Sequence, residues 1–423
     1  MSIILWVNKP KTIFVYFINI MLMYKKNAML SFKSKFNSFY IGLIILWPVF
    51  QIIIGVDGKG RIPFVITLAF LAYSFITNHK QLFAKPLFIW WIWVGYALVN
   101  TFFVQGSPMS SDEIIGFCTG VIAGPLLAYC IIEESYIHRN AIFKYIGYII
   151  LLYLLCALMM PSTNINEEHG ISALGNIVPI SIVFFAFVFA VRFVHKDITF
   201  KMFVIVTVLA VFFVVVSATR KAFGGLFIVL FFTYLSKLKK FSFKTIIITL
   251  LVGIILYAFS DSLLSSELWL RFSSANKESA IGDYKDNLFL SLMDDRAIMY
   301  VTGWNVFLDN FWFGIGLRNY LNLGYYAYTL HTEYMVQLTE CGIIGSVLFL
   351  WFYLWMAKEL IRSVKMHSGE TLVYLGGYVA IVFMSFTAWT YNQPIFWICI
   401  GFILAYININ KKHKSYENCY CRS

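Results

Sequence analysis

The chain has 423 residues and a mass of 48.9 kDa, 60% of it hydrophobic, 19% aromatic and only 13% charged, with mean hydropathy +0.76. A soluble domain carries about 25% charged residues. So few charges cannot clothe a water-facing surface. This excludes a soluble multidomain enzyme, a small disulfide scaffold and a disordered tail, and it puts the chain in a bilayer. The net charge of +12 is accounted for below by membrane topology, so it calls for no nucleic acid.

In chain order, residues 1–36 form a basic segment. Ile13–Met23 is apolar but too short to span, and Lys9, Lys11, Lys25, Lys26, Lys33 and Lys35 surround it. It lacks the small-residue cleavage site of a signal peptide. It reads as a basic cytoplasmic leader; a misassigned start upstream of Met21, Met23 or Met29 is the other reading. Twelve apolar stretches follow, near 38–56, 62–77, 87–104, 114–132, 141–160, 171–191, 202–218, 222–236, 245–260, 335–356, 372–388 and 394–409. A helix needs about 20 apolar residues to cross a hydrocarbon core roughly 30 Å thick. The runs are continuously apolar, without the alternation of a β-barrel.

The split between the seventh and eighth stretches rests on Thr219-Arg220-Lys221. Met202 to Leu235 is otherwise one apolar run of 34 residues, about 51 Å as a helix, too long for one crossing. Two adjacent charges at its middle would be very costly in lipid. A turn at Arg220-Lys221 removes both problems.

Orientation follows from loop charge. With the N-terminus in the cytoplasm, Lys/Arg divide 24 inside and 9 outside, and Asp/Glu 6 inside and 15 outside. The expected fold is therefore an all-α integral membrane protein of about 12 transmembrane helices, N-in and C-in. Helices one to nine occupy 37–260 and helices ten to twelve occupy 334–409. A basic cytoplasmic tail occupies 410–423.

Between helices nine and ten lies one large outer loop, 261–333. Loops beyond about 15 residues are usually functional or disordered, and this one is rich in Trp, Tyr and Phe. Leu290, Met293, Ala297, Val301, Trp304 and Leu308 follow the 3.6 period of an amphipathic helix lying on the outer interface. Phe313-Gly314-Ile315-Gly316 reads as a glycine-punctuated turn. The seven cysteines show no zinc spacing.

Chemistry-bearing residues gather on the outer side. Arg220 and Lys221 are a cation pair at the membrane edge. They suit a lipid-linked diphosphate, since arginine grips phosphate oxygens bidentately; the other reading is a pair reaching to lipid headgroups. Arg296 follows Asp294-Asp295, and Arg318 follows the glycine turn. Each reads as a ligand contact or as a local ion pair. His331 can serve as a general base near neutral pH or be merely interfacial. Glu168 and His169 sit in the loop before helix six, as a sugar-binding or a solvated pair. Glu333 and Glu340 flank the start of helix ten. Trp304 can stack on a sugar or belong to an aromatic belt. The spans carry no mid-membrane ionisable residue of the kind that couples ions to transport.

In order, these segments resemble one family. Ser217-Ala218-Thr219-Arg220-Lys221-Ala222-Phe223-Gly224-Gly225 is similar to the Ser/Thr-Arg-small-residue turn of the O-antigen ligase and polymerase superfamily. Arg296, Trp304, Phe307, Asn310 and Phe313-Gly314-Ile315-Gly316 resemble its Arg…aromatic…Asn-Pro-x-Phe-Gly-x-Gly stretch. His331, Tyr334, Glu340, Gly342 and Gly345 resemble its His-Asn-x-Tyr…Glu-x-Gly-x-x-Gly segment. Three positions depart from the pattern: Trp312 stands where the family often has Pro, Thr332 where it often has Asn, and Arg318 where it often has Gly.

The resemblance implies a GT-C-like, metal-independent glycosyltransferase on the outer face of the bacterial inner membrane, without a cofactor. Its donor would be a polyprenyl-diphosphate-linked glycan. Arg220 and Arg296 would hold the diphosphate, and His331 would position or deprotonate the acceptor hydroxyl. Lys221, Arg318, Trp304, Glu333, Glu340, Glu168 and His169 would serve as substrate contacts. A repeat-unit polymerase and an O-antigen ligase both fit, with a chain-length regulator and a flippase as partners. A lipid-linked oligosaccharide flippase is the reading of a different class.

Overall fold

The computed structural model describes residues 32–54, 61–106, 109–159, 177–216, 220–237, 296–325, 330, 332–364, 368–386 and 393–420. The ninth stretch, the loop up to residue 295, Glu168, His169 and His331 lie outside the described residues.

Every element among the described residues is a helix: α1 (Phe32–Ile54), α2 (Arg61–Leu82), α3 (Lys85–Val99, continued by a π-type turn at Asn100–Val104), α4 (Ser111–Met159), α5 (Ile177–Val194), α6 (Phe200–Val216), α7 (Arg220–Lys237), α8 (Arg296–Asp309), α9 (Asn319–Asn322), α10 (Glu333–Val364), α11 (Ser368–Ser385) and α12 (Pro394–Tyr420). Among the described residues four segments are long and apolar enough to cross a membrane: Ile62–Leu82, Leu87–Val104, Ile114–Ser135 and Glu333–Ser363. Shorter apolar helices cover Ala141–Leu154, Ile180–Val194, Phe200–Val214, Gly369–Ser385 and Ile395–Asn410. On α6, Phe200, Ile205, Val208 and Phe212 are all exposed. Val206, Ala210 and Val214 form its buried face, and so wide an exposed apolar face suits lipid, not water. The chain reads as an integral membrane protein.

The described residues of α6 reach Val216 and those of α7 begin at Arg220; the expected break falls on 217–219, outside the described residues.

The described residues fall into two compact units, one drawn from Met1–Phe88, Ser110–Phe203 and Tyr391–Ser423, the other from Ile89–Met109 and Val204–Thr390. In the first unit, α4 runs through what the sequence splits into stretches four and five. It is not one straight rod. Ala128 and Phe143 would stand about 22 Å apart along a straight helix. Yet a Cβ at Gly401 would lie 3.1 Å from the Ala128 Cα, and the neighbouring Phe402 ring stacks on Phe143 at 4.2 Å. Both arms, 111–135 and 141–159, therefore lie against α12, in keeping with two stretches.

The end of the first arm buries a polar group that apolar patterning does not reveal. Glu133 accepts from Lys33 Nζ at 2.7 Å and from the Asn78 amide, while Glu134 accepts from Ser34 Oγ at 2.5 Å and Asn37 Nδ2 at 2.8 Å. Buried carboxylates persist only when paired and hydrogen-bonded, and these bonds tie α1 and α2 to α4.

The second unit holds α7 to α11 and most of α3. Trp90 and Trp93 on α3 are fully buried against Phe349 and Phe352 of α10, with ring centroids 5.1–5.7 Å apart. Between helices in lipid such rings stabilise through close van der Waals packing and not through exclusion of water. α7 and α11 pack closely through glycines. Cβ atoms at Gly224 and Gly376 would come within 2.5 Å of the Phe383 ring and the Phe232 Cβ, and one at Gly369 would lie 3.0 Å from the Ser236 carbonyl. The start of α7 thus lies at the end of α11, and the two helices run antiparallel.

Candidate active site

Backbone direction places the candidate arginines. Tyr334 Oη donates to the Val382 carbonyl at 3.1 Å, and Thr332 Oγ1 to that of Ser385 at 3.4 Å. The start of α10 therefore sits beside the end of α11, where α7 also begins. α8 runs parallel to the first part of α10: Thr339 Oγ1 donates to the Gly303 carbonyl at 3.0 Å, and Ile343 N–H to that of Phe311 at 2.8 Å. Arg296 precedes Gly303 by seven residues, about 10 Å of helix, which brings it level with the start of α10. One end of this unit thus collects the first described residues of α7 and α8 and the N-terminal end of α10. Arg220, Lys221, Arg296 and Glu333 stand there, and Leu330 and Thr332 flank position 331.

The second feature is a broken helix. Gly342 interrupts α10 with φ +63 and ψ −170, a backbone region essentially reserved for glycine. The turn after α8 fills the break. Ile315 N–H donates to the Thr339 carbonyl at 3.1 Å and Gly316 N–H to that of Glu340 at 2.8 Å. Ile343 and Ile344 N–H donate back to the Phe311 and Trp312 carbonyls. Gly314 has φ +66 and faces Gly342 so closely that a Cβ on either would lie 2.5 Å from the other's nitrogen. Irregular backbone at membrane depth survives only where protein re-satisfies it, and this short ladder does so.

Side chains complete the knot. Asn100 Nδ2 donates to the Phe313 carbonyl at 2.7 Å, and Thr101 Oγ1 accepts from Leu317 N–H at 2.9 Å. Asn319 Nδ2 donates to the Ile315 carbonyl at 2.7 Å. Tyr96 Oη donates to the Cys341 carbonyl at 2.7 Å, and Trp93 Nε1 to Gln337 Oε1 at 3.0 Å. Gln337 Nε2 in turn donates to Glu333 Oε1 at 3.0 Å.

The expected substrate contacts separate into two kinds. Glu333 and Glu340 are buried. The Glu340 carboxylate accepts the Arg318 backbone N–H at 2.7 Å and faces that of Tyr320, so it anchors the turn. Lys221 and Arg318 are partly exposed, and Trp304 is 46% exposed. Of α8, the outward face carries Trp304 and Leu308, whereas Met299, Gly303, Val306 and Phe307 face protein. The sequence reading missed Asn100, Thr101, Gln337 and Thr339. Their signal was a run of polar residues inside otherwise apolar stretches. Among the described residues no group of three His, Cys, Asp or Glu could hold a metal ion.

The O-antigen ligase family model matches residues 205–350, which takes in both arginines, the broken helix and its turn. No protein of curated function matches the chain. The match supports a likeness of this segment to the O-antigen ligase and polymerase superfamily, whose members are glycosyltransferase-like enzymes.

Proposed function

We propose that the chain is a polymerase of polyprenyl-diphosphate-linked oligosaccharide repeat units, working on the outer face of the bacterial inner membrane. The observation that carries the reading is the gathering of Arg220 and Arg296 beside the N-terminal end of α10 at one end of one unit. Helix N-termini carry partial positive charge and unpaired N–H groups that favour phosphate. Two guanidinium groups add bidentate donors. A hydroxyl oxygen of the acceptor sugar attacks the anomeric carbon of the donor glycan. The bond from that carbon to the diphosphate oxygen breaks, and polyprenyl diphosphate leaves with the bonding electrons. Arg220 and Arg296 stabilise the charge that develops on it. His331 takes the hydroxyl proton. No metal is required, because the two arginines supply the cationic charge.

The second reading is an O-antigen ligase, favoured by the description of the matching family. It shares the donor and differs only in its acceptor, the core of lipopolysaccharide. Purified protein in nanodiscs, supplied with a polyprenyl-diphosphate-linked repeat unit, separates the two. A ladder of products from the linked unit alone supports the polymerase. A single shifted band that forms only when lipid A-core is added supports the ligase and refutes the polymerase.

A further inference from the structure

Two charged groups stand without partners in the first unit, where the end of α5 meets the second arm of α4. Arg192 is only 8% exposed, yet its Nε has no hydrogen-bond partner. Asp197 lies in the turn that follows, and its Oδ2 is enclosed and equally without a partner. Asp197 N–H reaches back to the Arg192 carbonyl at 2.9 Å, so one helix-end turn holds both residues. Asp197 and Tyr148 act on the guanidinium electrostatically, yet Arg192 Nε and Asp197 Oδ2 do not bond to each other. The guanidinium carbon lies 5.3 Å from the Phe189 ring centroid. On α4, a Cβ at Gly147 would stand 3.9 Å from Arg192 Nη1. One turn further on, the Phe143 and His195 rings lie 6.2 Å apart, and Lys144 and Lys196 are exposed beside them. An arginine that merely reaches for headgroups keeps its charged head wet; Arg192 does not. Buried polar atoms are nearly always paired, so a donor and an acceptor orphaned together call for an occupant.

The pair dictates the chemistry of that occupant. A guanidinium donates to phosphate oxygens, and lysines at a helix end draw phosphate headgroups. Asp197 needs the opposite, a cationic donor. A phosphate joined to a primary ammonium by a short link satisfies both, whereas a purely anionic ligand satisfies only Arg192. Ile180–Val194 is an apolar helix with Arg192 in its last turn, so the pair stands where a span gives way to headgroups. The phosphoethanolamine headgroup of a bilayer lipid has the required form.

We propose that Arg192 and Asp197 form a binding site for the phosphoethanolamine headgroup of a bilayer lipid, with Arg192 on the phosphate and Asp197 on the ammonium. The site is independent of glycosyl transfer. The full chain in detergent is titrated with short-chain phosphatidylethanolamine, phosphatidylcholine and phosphatidylglycerol, and bound lipid is counted by native mass spectrometry. All three carry the phosphate. Only ethanolamine offers N–H donors to Asp197, because choline is fully methylated and glycerol is uncharged. Wild type should bind phosphatidylethanolamine about 10-fold tighter than the other two, the range of one charge-assisted hydrogen bond. Asp197→Asn should level the three lipids, and Arg192→Gln should weaken all three about 10-fold. Asp197→Asn keeps the side-chain shape and the helix-end N–H bond, so it reads the ammonium contact even where Arg192→Gln fails to fold. Equal binding of the three lipids by wild type overturns the proposal, as does an ethanolamine preference that survives in Asp197→Asn. A changed melting temperature with unchanged lipid binding in both variants would make the pair structural and overturn it too. Free phosphoethanolamine, without acyl chains, is the last arm: binding as tight as that of the lipid would assign the site to a soluble phosphate ester and refute the headgroup.

Discussion

Alanine at Gly342 tests whether the broken helix is a built element. The new Cβ would lie 2.5 Å from Gly314 N, 2.5 Å from Trp312 O and 2.6 Å from Phe313 N. All three are backbone atoms, so no flexible side chain can give way. The conformation, φ +63 and ψ −170, adds strain of about 1–3 kcal/mol for any residue with a Cβ. Relief requires the turn to move off, which breaks ladder bonds such as Gly316 N–H to the Glu340 carbonyl at 2.8 Å and Ile343 N–H to the Phe311 carbonyl at 2.8 Å. Each buried group left unpaired costs about 1–3 kcal/mol. With the two bonds named, the sum is on the order of 3–9 kcal/mol, a fall of at least about 6 °C in melting temperature for a unit of this size. Thermal unfolding of purified protein in detergent reads the stability, and gel-resolved transfer reads the function. Gly314→Ala should cost a similar amount, and the double variant should cost less than the two added, because one displacement relieves both clashes. A Gly342→Ala protein that melts within 2 °C of wild type and transfers glycan normally would refute the reasoning.

Three further outcomes follow from the geometry. Arg220→Ala or Arg296→Ala should lower transfer by about 10²–10³-fold, the usual effect of removing a donor to developing negative charge, with melting temperature unchanged; full activity in either would remove that arginine from the chemistry. Thr101→Val keeps the shape but deletes the acceptor for Leu317 N–H, so it should cost about 1–3 kcal/mol in thermal unfolding, whereas a neutral result would show that the π-type turn does not hold the 313–320 segment. Gly124→Ala would drive a Cβ into the Trp397 indole, so it should destabilise the unit that contains α4 and α12; unaltered melting would show that this packing is looser than described.

Much of the fold was legible because lipid simplifies the code. In lipid a run of apolar residues of sufficient length has one stable form, a helix. Gly314 and Gly316 announced a turn, whereas the break at Gly342 fell inside a stretch read as one continuous helix. What they pair with was not legible, since a ladder between 311–316 and 339–344 leaves no periodicity in either segment. Asn100 and Thr101 were hidden for the opposite reason: two polar residues hardly change the hydropathy of a stretch such as 87–104. Glu133 and Glu134 read as the end of a span by their charge, yet they are buried, because Lys33, Ser34, Asn37 and Asn78 converge on them from α1 and α2. Glu340 looked like a substrate contact from its place in a motif. In the structure it is the anchor of the turn that carries Arg318.

The central claim is that glycan is transferred from a polyprenyl diphosphate at the end of the unit where Arg220 and Arg296 stand. The most direct measurement is release of free polyprenyl diphosphate from a linked repeat unit by purified protein in nanodiscs, wild type beside Arg296→Ala and His331→Ala. The account predicts one polyprenyl diphosphate released per glycosidic bond formed by wild type, and release near background in both variants at unchanged melting temperature. Release that continues undiminished in both variants, or translocation of the intact linked unit without any release, would contradict it.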